Sequence, residues 1–62
     1  MSKQKYYTGD KLEFLFLGAK LIGTVVSFRE VDVHGVYRPR YTIESGGTRY
    51  PVAELDITRK LS

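Results

Sequence analysis

Between Tyr41 and Val52 bulky apolar side chains alternate with polar ones on both sides of a Gly46-Gly47 pair. A period of two marks a half-buried strand, and two such segments meeting at two glycines predict a β-hairpin. Counting outward from the glycines sets Ser45 opposite Thr48, Glu44 opposite Arg49, Ile43 opposite Tyr50 and Tyr41 opposite Val52. Tyr41, Ile43, Tyr50 and Val52 then share one face, and Arg40, Thr42, Glu44 and Arg49 share the other. A slip of one residue would mix the two sets, so the pattern favours this register. Pro51 carries no backbone donor, which puts its strand at a sheet edge or at its own end.

Upstream, Leu12 to Leu17 (LEFLFL) forms a first apolar run, followed by a short turn at Gly18-Ala19-Lys20. Leu21 to Val31 (LIGTVVSFREV) is rich in residues that favour strands and shows no helical spacing. Gly23 inside it predicts a bend or bulge, of the kind that lets one long strand serve two sheets. Asp32 to Val36 reads as a loop around Gly35. After the hairpin, Ala53-Glu54-Leu55 makes a single helical turn, and Asp56 to Leu61 returns as the last strand. Five short strands with one helical turn before the last predict an all-β fold, a small five-stranded SH3-like barrel. The turn re-aims the chain so that strand five pairs with strand one and closes the sheet. Residues 1–8 are expected to be a frayed N-terminal segment and residues 9–62 the barrel.

Composition narrows the chemistry. Sixty-two residues allow one domain, near the lower size limit for folding without staples. With no cysteine and one histidine, disulfides, thiolate metal sites and a multi-histidine centre within one chain are excluded. No apolar run approaches a membrane span, and Met1 to Lys5 lacks the apolar stretch of a secretory signal, so a cytoplasmic location is expected. The net charge of +3 permits an anionic partner without requiring one.

Gly9-Asp-Lys-Leu12, Gly23-Thr-Val-Val-Ser-Phe28, Tyr41-Thr-Ile-Glu-Ser45 and Tyr50-Pro-Val-Ala-Glu-Leu55 together resemble successive segments of the type II (plasmid-borne) dihydrofolate reductases. The resemblance runs from about Gly9 to Ile57. It implies an SH3-like barrel assembled as a homotetramer around a central pore, with NADPH as cofactor. That family lines its pore with Val-Gln-Ile-Tyr; the matching positions here are Gly47-Thr48-Arg49-Tyr50, so only Tyr50 is retained. The lysine that the family carries in its first strand falls at or beside Phe14. Under this resemblance Thr48, Arg49 and Tyr50 would line the pore.

The residues themselves suggest a different site. Arg38, Arg40 and Arg49 should lie on the solvent face of strands three and four, with Lys20 and Arg29 nearby. Guanidinium forks hold phosphates, and Tyr37 offers a ring for an unpaired base. The expected contact set is Tyr37, Arg38, Arg40 and Arg49, with Lys20 at the rim, and the ligand is nucleic acid or an acidic protein surface. Glu44 opposite Arg49 should partly neutralise this face. His34 and Asp32 supply two potential metal ligands and no third, and no serine or carboxylate pair has the spacing of a catalytic centre. No metal, cofactor or catalytic residue is therefore assigned on the main reading. The first run is apolar on both faces, so either Tyr6-Tyr7 or a second chain should cover its outer side, and self-association through this strand is expected. A third reading is a small accessory or adaptor protein of a phage or mobile element.

Overall fold

The computed structural model describes residues 4–62, with the side chains of Val31, Asp32, Val33 and Tyr37 outside the description. Five strands follow in chain order: β1 (Lys11–Phe16), β2 (Ala19–Val33), β3 (Val36–Ser45), β4 (Thr48–Ala53) and β5 (Ile57–Lys60). A single 3₁₀ turn, Glu54–Asp56, precedes β5. All pairings are antiparallel, and the strands form one sheet in the order β4-β3-β2-β1-β5. The fold is thus all-β, and the expected register of the β3–β4 hairpin is reproduced pair for pair.

The expected closure differs in kind. β5 does pair with β1, but no hydrogen-bonded ladder joins β4 to β5, so among the described residues the sheet is left open between these two edge strands. It curls through side chains instead: Tyr50 of β4 reaches β1, with its ring 4.8 Å from Phe16 and 5.9 Å from Phe14. Pro51 is accommodated inside β4 because one side of that strand is unpaired.

Turn chemistry explains the remaining differences. Leu17-Gly18, His34-Gly35 and Gly46-Gly47 each place two consecutive residues at positive φ, the demand of a type I′ hairpin turn. The first turn therefore falls at Leu17-Gly18 rather than at Gly18 to Lys20, and Leu17 leaves β1. The loop expected over Asp32 to Val36 contracts to two residues, so β2 runs to Val33 and β3 starts at Val36. Ala53 ends β4, which moves the helical turn one residue downstream of its expected start.

β2 is 15 residues long and would span roughly 45–50 Å if straight, whereas the molecule measures 33 × 23 × 19 Å. It must bend. The bend is a register shift between Val25 and Ser27, where pairing to β3 skips Val26. Gly23 serves another purpose: a Cβ there would fall against the Glu44 carbonyl oxygen and 2.7 Å from Ile43 Cγ2. Glycine lets β3 approach β2 closely just before the bulge.

The core gathers the inward face of every strand: Leu12, Phe14, Val25, Tyr41, Ile43, Val52 and Ile57 are buried. Tyr6, Phe16, Leu21, Phe28 and Tyr50 pack around it. Tyr6 thus covers the core side, edge-on to Tyr41 at 5.6 Å. Among the described residues the outer side of β1 is left exposed, with Leu15 40% exposed and Ile22, which lies opposite Glu13 on β2, 53% exposed.

Candidate functional site

The sheet presents two outward surfaces that differ in how their charges are balanced. On β1, β2 and β5, Glu13 accepts from Thr58, with Oγ1 2.7 Å from Oε2, and lies 3.5 Å from Arg59 and 4.0 Å from Lys20. The Thr58 hydrogen bond foremost, aided by the two cations, holds the Glu13 carboxyl below its ordinary range. Asp10 pairs with Lys60 at 3.7 Å. Lys20, expected at the rim of the arginine cluster, pairs with Glu13 on this surface.

The β2–β3–β4 surface carries Arg29, Arg38, Arg40 and Arg49, all exposed. Arg29 and Arg40 are direct cross-strand partners, which sets their Cβ atoms about 5 Å apart. Like charges at such a position repel. Among the described residues none of these four arginines has an ion-pair partner. Arg49 lies opposite Glu44 as expected, although the two form no close ion pair, so Glu44 offsets the charge of this end of the face only in part. Arg49 stands four residues from Arg40 along the hairpin register, or about 13 Å, at the far end of the patch.

Two grooves adjoin at Arg40. One, of about 400 Å³, is lined by Arg29, Arg40, Tyr41, Thr42 and Pro51. The other, of about 350 Å³, is lined by Lys5, Arg38, Pro39, Arg40, Ala53, Glu54 and Leu55. Their walls depend on one buried hydroxyl. Tyr41 Oη accepts from the backbone N–H of Lys5 at 3.2 Å and of Tyr6 at 3.4 Å, and donates to Glu54 Oε2 at 2.8 Å. A single side chain thereby fixes the N-terminal strap and the 3₁₀ turn that flank the second groove. Burial, with the Glu54 hydrogen bond second, pushes the Tyr41 hydroxyl up to about 12.

Sequence reasoning placed Arg38, Arg40 and Arg49 on one exposed surface, as they are in the structure, and named Arg29 only in passing. It missed Lys5 and Glu54, whose role rests on a contact 36 residues away in the chain and another 13 away. No local pattern announces such contacts. The Tyr37 side chain lies outside the description. Thr48 and Arg49 are exposed beside the hairpin turn, whereas Tyr50 is half-buried against Phe14 and Phe16. Among the described residues no group of three histidine or carboxylate side chains is placed to hold a metal ion, and no helix is long and apolar enough to cross a membrane. Comparison with protein-family models, curated proteins and solved structures finds no match to this chain.

Proposed function

We propose that this chain is an SH3-like barrel acting as a binding module for nucleic acid, engaged through the β2–β3–β4 surface. The observation that carries the reading is the arginine face, with Arg29 and Arg40 opposed across two strands and, among the described residues, no ion pair to either of them. Monomer stability alone selects against that pairing, and a phosphate between the two guanidinium groups turns the repulsion into attraction. Arg38 and Lys5 extend the positive rim, Arg49 adds a peripheral contact, and no catalytic step is assigned.

Fluorescence anisotropy with a labelled single-stranded oligonucleotide tests this directly. If about three phosphates are held, log K should fall against log salt with a slope of roughly −2. Replacing both Arg29 and Arg40 by alanine should flatten that slope and weaken binding by about a hundredfold or more, as expected when two charge-assisted contacts of about 1.5–3 kcal/mol each are lost. Salt-independent binding, or full affinity in the double variant, would exclude this surface.

A second reading, a homo-oligomeric enzyme resembling type II dihydrofolate reductase, is favoured by the bare outer patch of Leu15, Leu17 and Ile22. Light scattering followed by titration with NADPH separates the two readings, since a monomer cannot form a symmetric pore. An acidic protein surface as the ligand of the arginine face is decided by competition in the anisotropy assay.

A further inference from the structure

The groove beyond Arg40 has a lining that a phosphate alone does not explain. Pro39, Ala53 and Leu55 give it apolar walls, and Leu55 is 96% exposed on a turn that makes no use of it. Within this groove stands one carboxylate, Glu54, fixed by the Tyr41 hydroxyl through Oε2. Its Oε1 takes no hydrogen bond from any described residue. A positive rim around a fixed acceptor is a poor match for an acidic peptide, whose carboxylates Glu54 would repel. It suits a ligand that is anionic at one point and donates a hydrogen bond at a neighbouring one.

The geometry points to a subsite for an unpaired nucleobase in the Lys5–Pro39–Ala53–Leu55 groove, with Glu54 accepting from the exocyclic amino group of cytosine. This rests on the nucleic-acid reading given above. The backbone phosphate sits between Arg29 and Arg40, beside Thr42. Arg40, common to both grooves, joins the phosphate subsite to the base subsite. Apolar side chains can sandwich an unpaired base, and a carboxylate is the standard acceptor for the cytosine amino group. Thymine presents a carbonyl at that edge and meets the Glu54 carboxylate with like polarity. A base inside a duplex cannot enter the groove at all.

The test is anisotropy with fluorescein-labelled oligo-dC and oligo-dT of equal length, a duplex of the same length, and poly-glutamate as competitor. Oligo-dC should bind more tightly than oligo-dT by on the order of tenfold, and more tightly than the duplex. Glu54→Gln should erase that preference while keeping oligo-dT binding, because its amide oxygen still accepts from Tyr41 but its NH₂ now opposes the base's amino group. Leu55→Ala, at a position whose side chain supports nothing in the fold, should weaken both oligonucleotides several-fold. Equal affinity for oligo-dC and oligo-dT in the unaltered protein, with the arginine dependence intact, overturns the base subsite and leaves the arginine face standing. An undiminished preference in Glu54→Gln, or unchanged affinity in Leu55→Ala, also overturns it. Preference for the duplex does the same. Displacement by poly-glutamate with no oligonucleotide binding overturns the nucleic-acid reading as well.

Discussion

Tyr41 is 1% exposed and joins three parts of the chain that are remote in sequence. Its ring packs 4.9 Å from Phe28 and 5.6 Å from Tyr6, while its hydroxyl satisfies two backbone donors and one carboxylate. In Tyr41→Phe the ring packing survives, but the Lys5 and Tyr6 N–H groups and Glu54 lose their partner. Urea unfolding should show a loss of about 1–3 kcal/mol. The same residue sets a pH limit. An unfolded tyrosine ionises near 10.0 and folded Tyr41 only near 12, so the unfolded state releases its proton first. Stability is therefore whole below pH 10 and falls as pH rises toward 12. In Tyr41→Phe this part of the alkaline decline should vanish.

The elements of this fold are held in register by their turns. Leu17 occupies the first position of a type I′ turn at φ 51° with its side chain 92% exposed, a conformation that costs an L-residue with a bulky side chain roughly 1–2 kcal/mol. Leu17→Asn should raise the urea midpoint, by about 0.5–1 kcal/mol of stability, because asparagine tolerates this region. Gly23 is the opposite case. Gly23→Ala drives a methyl group into the Glu44 backbone, and a loss of about 1–3 kcal/mol is expected, measured against Leu17→Asn in one urea series. A neutral Gly23→Ala would mean that β3 can retreat from β2. The β3–β4 hairpin was legible in the sequence because period-two patterning and a Gly-Gly turn agree on one register. The first turn was read one residue late, since leucine is an uncommon choice at positive φ. The bend was placed at Gly23 rather than at Val26, because a bulge is defined by pairing to β3 and valine carries no signal of it.

At the scale of the molecule, charge is segregated. Asp10 and Glu13 form ion pairs with Lys20, Arg59 and Lys60 on one surface, while Arg29 and Arg40 of the other surface face one another. Selection for stability alone would place an acid at one of these positions. Arg29→Glu creates an opposed pair with Arg40 and should stabilise the fold by about 0.2–1 kcal/mol, seen as a higher melting temperature, while weakening oligonucleotide binding. A variant that is more stable and binds less well is the mark of a functional face. Loss of stability in Arg29→Glu would show that the arginines already have compensation within the fold. The bare outer patch at Leu15, Leu17 and Ile22 is a separate surface, and dilution during light scattering reports whether it holds two copies together.

Local chemistry alone determined the all-β class, the β3–β4 register and the inward set Tyr41, Ile43, Tyr50 and Val52, because alternation and turn residues act over a few neighbouring positions. It also put Arg38, Arg40 and Arg49 on one outward face. Only the tertiary structure decided that the sheet curls without a closing ladder, that Lys20 is drawn away to Glu13, and that Lys5 and Glu54 meet at the Tyr41 hydroxyl. Those outcomes depend on how far a 15-residue strand bends and on contacts between distant segments, and such contacts leave no trace in the spacing of residues along the chain.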